Sequence, residues 1–551
     1  MTTFPTRTPG HGRLLRAALL GLLLTAAAAI GVALGFLPGS HGGPDADVAP
    51  APAHGGQSGG GVPADLQAGP QHPNIVFVLT DDLSMDLLPY MPQVQRLQHQ
   101  GMTFNNYFVS DSLCCPSRSS IFTGEFPHDT GVFTNAGPFG GLRAFYNHDD
   151  EYRTFNIALH DEGYRTAMMG KYINGYLQRR SPIAATAVPP GWSEWDVAGW
   201  GYREFNYKLN IDGTVHHFGH APRDYLTDVI ARRGVHFINH SAAMNKPFFL
   251  ELATFAPHTP YVPAPRDAHA WPGLTAPRPP NFDVLPTTPP SWLAGHPPLT
   301  DHQLKKINRA FRRRVEDVMS VNDMIARVRA AIAADGLTND TYIVFSSDNG
   351  LHTGEYRLTP GKLTAFDTDI HVPLVVAGPG VPVGSSTDAM TENTDLAQTF
   401  AQMGGTQMAA TDGHGLLGLL HGGNPVDWRN TILVEHHGPK PDPADPDEQD
   451  RSSGNPPSYE AMRSPSFLYV EYKDGQREFY DLRGDPYELD NLAPILSPLD
   501  RATLHADLQR LERCHGTASC WAAGHLEATF ALGHGGRRRR PERLNANIAA
   551  S

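Results

Sequence analysis

Four short stretches of the chain are almost continuously apolar, and each ends abruptly in polar residues. Asn74-Ile75-Val76-Phe77-Val78-Leu79 stops at Thr80-Asp81-Asp82, and Thr166-Ala167-Met168-Met169 runs into Gly170-Lys171. Pro247-Phe248-Phe249-Leu250-Glu251-Leu252-Ala253 is followed by Pro257-His258, and Tyr342-Ile343-Val344-Phe345 leads to Ser346-Ser347-Asp348-Asn349-Gly350. A run without polar alternation predicts a strand buried on both faces, as in a parallel sheet covered by helices. In open α/β sheets ligands sit beyond the carboxyl ends of the strands, so four such ends predict one shared site. Any one of them alone reads as a helix cap or turn, where Asp, Asn and Ser are common. Four together favour a site.

Helical spacing predicts helices over 91–98 and 154–162, and a long one within 301–334. There Ile307, Phe311, Val315, Val318, Ile325 and Val328 fall near helical periods. The same helix carries Lys305, Lys306, Arg309, Arg312, Arg313 and Arg314. These could attract a polyanion, but a solvated face, partly offset by Glu316, Asp317 and Asp323, is the favoured reading. Residues 276–298 are Pro-rich and read as a long ordered loop on the rim of the site. Residues 438–458 read as a mobile insertion. A smaller unit is expected from Asp427 onward. Thr431-Ile432-Leu433-Val434-Glu435 is strand-like, and Lys473-Asp474-Gly475 turns one strand into another as a hairpin. A helix over 498–511 follows, with Ser497 as its N-cap and Pro498 at its first position.

Composition narrows the class. In 551 residues, 18% are charged and 40% hydrophobic, which describes a globular protein of one large and one smaller domain. The formal net charge of -13 argues against nucleic acid as a partner, and a site for anions would have to be locally basic. Arg7, Arg13 and Arg16 precede an apolar run from Ala17 to Leu37, long enough to cross a bilayer and long for a signal-peptide core. A cleaved signal and an uncleaved membrane anchor both fit. Either way the bias of basic residues leaves the rest of the chain outside the cytoplasm. Residues 38–71, rich in Gly, Pro, Ala and His, read as a tether. The expected layout is an export segment or anchor (1–37), a linker (38–71), a catalytic domain (72–426), a smaller unit (427–530) and a basic tail (531–551).

Of four cysteines, Cys514 and Cys520 enclose a short loop that an exported chain can close as a disulfide. Two Cys with one nearby His leave a four-ligand zinc site incomplete. The other pair opens Cys114-Cys115-Pro116-Ser117-Arg118-Ser119-Ser120-Ile121-Phe122-Thr123-Gly124. A buried Cys pair in a turn before a helix is the bland reading. The order Cys-x-Pro-Ser-Arg, closed by Thr-Gly, resembles the signature of the type I sulfatases. Gly170-Lys171-Tyr172-Ile173-Asn174, Pro190-Gly191-Trp192 and Asp348-Asn349-Gly350-Leu351-His352-Thr353-Gly354 extend the resemblance toward the N-acetylglucosamine-6-sulfatase and heparan endosulfatase branch. The resemblance covers about residues 72 to 530.

It implies an alkaline-phosphatase-like α/β sandwich: a large mixed, mostly parallel sheet between helices, plus a smaller C-terminal α+β subdomain with an antiparallel sheet. It implies that Cys114 is converted to Cα-formylglycine by the formylglycine-generating enzyme, and that the hydrate attacks a sulfate ester in a double displacement. Asp81, Asp82, Asp348 and Asn349 offer only oxygen donors, which suit Ca²⁺ or Mg²⁺. The resemblance implies Ca²⁺, with the residue made from Cys114 completing the shell. Positive charge for the sulfuryl oxygens can come from Arg118 and Lys171. His258 suits proton transfer, and Lys362 can meet the sulfate or the leaving group. Many sulfatases carry a His two residues after the first Lys; here Asn174 stands nearby instead, as an orienting group. His352 and the Glu435-His436-His437 cluster are candidate substrate contacts. The expected activity is hydrolysis of aryl or carbohydrate sulfate monoesters. A phosphodiester or phosphonate monoester hydrolase, and a surface binding protein with a dead site, are the alternatives.

Overall fold

The computed structural model describes residues 72–178, 181–438, 445, 448–449 and 451–526. The expected export segment or anchor, linker and basic tail, and much of the expected 438–458 insertion, lie outside the described residues. No described helix is long and apolar enough to cross a membrane.

The four apolar runs form four adjacent strands: β1 (Asn74–Thr80), β2 (Arg165–Lys171), β3 (Phe248–Ala253) and β4 (Thr341–Ser347). They lie side by side in the order β4-β1-β3-β2, all parallel, with Ile75 facing Phe249 on one side and Tyr342 on the other. Glu194–Ala198 extends the parallel set beyond β2. Among these five strands every pairing is parallel, and antiparallel pairing begins with their outer neighbours. Lys208–Ile211 and Thr214–His217 add one edge, and Leu374–Ala377, Met102–Phe104 and Ser385–Thr387 the other, making ten strands.

Side-chain alternation along β1 divides its residues between two cores. Ile75, Phe77 and Leu79 join one cluster with Phe122, Phe155 and Phe400. Val76 and Val78 join the other with Phe237, Phe311, Val315 and Val318. That is why the run has no polar positions. The long helix α2 (Asp301–Ala334) covers the second face, and α1 (Cys114–Thr123) lies with the first. A capping box starts α2: Thr300 Oγ1 accepts from the Gln303 amide (3.3 Å), and Gln303 Oε1 accepts from the Thr300 amide (3.0 Å).

The expected solvated face of α2 is corrected at three positions. Arg314, Glu316 and Asp317 are buried, whereas Lys305, Lys306, Arg309 and Arg313 are exposed. Arg314 lies seven residues after Ile307 and three after Phe311, so it shares their inward stripe. The Pro-rich 276–298 stretch contains a short helix, Ser291–Ala294.

Toward the C-terminus, Ile432–His436, Tyr459–Arg463, Phe467–Tyr472 and Arg477–Asp481 form a four-stranded antiparallel sheet. The helix Pro498–Glu512 packs on it through Leu504, Leu508 and Leu511, with Ser497 Oγ accepting from the Asp500 amide at 3.0 Å. Cys514 and Cys520 form a disulfide. All the described residues belong to one compact unit.

His128 ties the segment after α1 to this C-terminal part. Its Nδ1 lies 2.9 Å from Glu435 Oε1 and its Nε2 2.9 Å from the Cys514 carbonyl oxygen. Burial opposes the charge, but Glu435, the Cys514 carbonyl and Asp129 outweigh it and push the imidazole pKa up to about 9. A raised folded-state pKa stabilises fully below the unfolded value near 6.5, and that stability fades as pH rises through 9. His128→Gln should therefore cost about 2 kcal/mol at pH 6. The gap in Tm between parent and variant should close by pH 9.5. A gap independent of pH in thermal melts would refute this.

Candidate active site

The carboxyl ends of the four central strands bring the expected residues together. β1 runs out into Asp81 and Asp82, β4 into Asp348 and Asn349, β2 ends in Lys171, and the chain after β3 carries His258. Asp82 adopts a left-handed backbone (φ 63°), and its amide donates to Asp348 Oδ1 at 3.1 Å, which joins two strand ends. At Gly170 (φ 105°) a Cβ would lie 1.9 Å from the Ala253 carbonyl oxygen. Only glycine lets β2 approach β3 so closely just before Lys171.

Helix α1 delivers Cys114 as its first residue and Arg118 one turn later, and all ten of its residues are buried. Asn135 Oδ1 accepts from the Cys115 amide at 2.9 Å, so a distant loop caps the helix start. Gly124, in the left-handed region (φ 75°), ends it and donates to the Ser120 carbonyl at 2.8 Å. Cys115 Sγ accepts from the Asn174 amide at 3.2 Å, which gives the second cysteine a structural part.

Three carboxylates and three cations interleave around Cys114. Lys362 Nζ lies 2.9 Å from Cys114 Sγ and 2.6 Å from Asp82 Oδ1. Asp81 Oδ1 lies 3.2 Å from the same sulfur, and Asp81 Oδ2 is 2.5 Å from Lys171 Nζ. Arg118 Nε donates to Asp348 Oδ2 at 2.8 Å, and its Nη1 donates to the Lys171 carbonyl at 3.0 Å. Each of these side chains is at most 3% exposed. Burial works against the charge on Arg118 and Lys171, but Asp348 and Asp81 respectively, with smaller help from Cys114, outweigh it and favour the cationic forms.

The buried atoms of the site that lack a hydrogen-bond partner among the described residues include Arg118 Nη2, a donor, and Asn349 Oδ1, an acceptor. Leaving such atoms unpaired is costly, and each offers a ligand a ready contact. Asn349 Nδ2 donates to Asp82 Oδ1 at 2.7 Å, which orients the amide. His258 Nδ1 faces the Thr259 carbonyl at 2.6 Å, so its Nε2, 3.6 Å from Asp82 Oδ2, faces the cluster. Potential ligand atoms of Asp81, Asp82, Cys114 and His258 all lie within 4.8 Å of one another.

Other candidates are placed apart from this cluster or tied to other partners. Asn174 Oδ1 accepts from the Tyr202 hydroxyl at 3.1 Å, and the Tyr202 ring lies 4.6 Å from His258. His352 is buried, with Nδ1 2.9 Å from Asp369 Oδ1 and Nε2 2.9 Å from the Ser453 carbonyl. An imidazole facing acceptors at both nitrogens is satisfied by the charged form, and its pKa is raised by Asp369 against burial. His436 is buried on its strand against Tyr459, its pKa pushed down to about 3 by burial, while His437 stacks on Phe133 at 3.6 Å.

Three further residues, none of them expected at the site, shape it. Arg314 Nη2 donates to the Asp82 carbonyl at 2.6 Å and to Ser84 Oγ at 2.9 Å, fixing the strand end from behind. The Tyr202 ring lies 5.0 Å from Lys171 Nζ, within cation–π range. Glu251, in the middle of β3, is fully buried without a hydrogen-bond partner. Burial, partly opposed by Arg118, pushes its pKa up to about 8.

Residues 73–406 match the Sulfatase family, and residues 354–513 match the N-sulphoglucosamine sulphohydrolase C-terminal family. The chain belongs to the sulfatase family. Its reaction class is therefore sulfuric ester hydrolysis. It is 33% identical to human N-acetylglucosamine-6-sulfatase over 482 residues, covering 82% of this chain and 86% of the relative. A Drosophila melanogaster extracellular sulfatase SULF-1 homolog is 33% identical over 67% of this chain, which spans 33% of that longer protein. Among solved structures, this sulfatase superposes with a TM-score of 0.66 on one in complex with its substrate D-glucosamine-2-N,6-O-disulfate. That match is 22% identical and covers 80% of this chain and 98% of the other. The alkaline-phosphatase-like sandwich with a small antiparallel sheet is thus the sulfatase's fold.

Proposed function

We propose that this sulfatase hydrolyses carbohydrate sulfate monoesters outside the cytoplasm, with N-acetylglucosamine 6-sulfate as the type of ester. The observation that carries the reading is the convergence of Lys362 and Asp81 on the Cys114 side chain, inside a fully buried set of three carboxylates and three cations. The sugar and its sulfate position come from the name of the human relative. The Drosophila relative's name supports an extracellular setting, and the basic residues before the 17–37 run support export.

The donor set fits a hard divalent cation. Asp81, Asp82, Asp348 and the unpartnered Oδ1 of Asn349 are all oxygen donors, and they would hold Ca²⁺. Cys114 opens a helix whose N-terminus favours negative charge, so a formylglycine made there by the generating enzyme during maturation would have the charge developing on its hydrate oxygen stabilised. Together the two groups supply a hydrated aldehyde as oxygen nucleophile and positive charge against the sulfuryl oxygens.

The chain's own residues do the remaining work. Arg118 turns its unpartnered Nη2 to a sulfuryl oxygen while Asp348 holds the rest of the guanidinium in place. Lys171 adds a second positive contact, its ammonium steered by Asp81 and the Tyr202 ring. His258 is held through Nδ1, so in its imidazolium form Nε2 is the atom that gives a proton to the departing alcohol, leaving the neutral ring, with Lys362 beside it. Asn174 is an amide without proton-transfer capacity; bonded to Tyr202, it orients neighbouring groups. Preorganised charges of this kind account for much of the rate of such reactions.

The test combines two measurements on the exported chain. Mass spectrometry across Cys114 should find an aldehyde in place of the thiol, and the converted, Ca²⁺-loaded protein should release sulfate from N-acetylglucosamine 6-sulfate. Converted protein that leaves every carbohydrate sulfate intact overturns the proposal.

A further inference from the structure

A groove of about 580 Å³ opens beside the active site, and one of its walls is the exposed face of α2. Lys306, Arg309 and Arg313 line it, at the i, i+3, i+7 spacing that places them along one side of the helix. They spread over about 10 Å of helix axis. All three are exposed, and among the described residues none makes a hydrogen bond or an ion pair. No described lining residue is a carboxylate. In a chain of formal charge -13, three cations in one concavity, without an ion-pair partner among the described residues, form a local reversal of sign.

The opposite wall is made of the chain segments that carry the catalytic groups. Thr259, Pro260 and Tyr261 directly follow His258, and Thr359 and Pro360 shortly precede Lys362. The Tyr261 phenol lies in the fields of Asp82 and Lys362 as well as Arg314. The register of α2 against the site is fixed as well. Arg314 points inward to the Asp82 carbonyl, while its neighbour Arg313 points into the groove. The cationic row therefore stands at a set position relative to the reacting sulfate.

We infer that this groove is a second anion subsite, in which Lys306, Arg309 and Arg313 hold another sulfate or carboxylate of the same substrate molecule. This rests on the sulfatase reading above and narrows it to substrates with at least two acidic groups.

The experiment compares the full chain with a Lys306→Gln/Arg309→Gln/Arg313→Gln variant on three substrates. They are a small aryl sulfate, a glucosamine-containing disaccharide with a second sulfate, and one whose second acidic group is a uronic carboxylate. The aryl sulfate has nothing to reach the helix, so its kcat/KM should stay within twofold. For whichever disaccharide supplies the bound group, KM should rise by tenfold or more at unchanged kcat. Its rise with salt should flatten in the variant. Equal effects on all three substrates, or none, overturn the subsite. If no substrate is turned over, calorimetric binding of the disulfated disaccharide still decides: equal affinity for parent and variant overturns the subsite, and a tenfold loss upholds it while the reaction assignment fails.

Discussion

Cys114→Ala should lower sulfate release by at least about 10⁴-fold. It should leave the protein folded. Cys114 is fully buried on the first turn of α1, and alanine is the better helix former there. The lost sulfur leaves a small void and frees Lys362 Nζ and Asp81 Oδ1 from one contact each. Both keep other partners, Asp82 for the lysine and Lys171 for the aspartate. The expected cost in stability is therefore about 1 kcal/mol. Circular dichroism and a melting curve check the fold, and sulfate release checks the chemistry. A variant that keeps full activity sinks the assignment of Cys114 as nucleophile precursor.

Arg118→Met should damage both stability and rate. Methionine roughly fills the space but removes the charge paired with Asp348 Oδ2, in a site with no exposure. It also strips the Lys171 carbonyl of its guanidinium donor. An unpaired buried carboxylate costs about 3–5 kcal/mol. Loss of a preorganised donor to the sulfuryl oxygens should lower kcat by about 10³-fold. Addition of Ca²⁺ should recover part of the lost Tm, because a cation held by Asp348 restores its compensation, and should not restore the rate. A variant with unchanged Tm, or one whose rate returns with Ca²⁺, would contradict this account.

Much of this site is legible in the chain because its residues stand at the ends of apolar runs. The sheet fixes where those ends go, and parallel strands bring like ends to one side. Asp81, Asp82, Lys171, Asp348 and Asn349 were therefore readable from local pattern alone. His258 was legible in the same way, as the residue carried just past the third run, whereas Cys114, Arg118 and Lys362 came chiefly through the resemblance. Arg314 was missed although its signal was present. Its spacing from Ile307 and Phe311 is that of the buried stripe, yet it was grouped with its charged neighbours. Tyr202 left no such signal, because the irregular chain after Glu194–Ala198 carries it to His258 and Lys171 only through tertiary folding. His352 looked like a substrate contact from its place in the Asp348–Gly354 run. Its ring nitrogens meet Asp369 and Ser453, partners 17 and 101 residues away that no local pattern exposes.

The interleaving of Asp81, Asp82 and Asp348 with Lys171, Lys362 and Arg118 has a consequence for biosynthesis. Their charges cancel one another pair by pair, so this cluster carries no large unbalanced charge before any calcium of the kind proposed is bound. Collapse of the sheet and arrival of the ion are separable events, and the order between them is free. A chain emerging into a calcium-poor medium can complete its fold and be loaded afterwards. Removal of the ion by a chelator should then silence the protein without unravelling it.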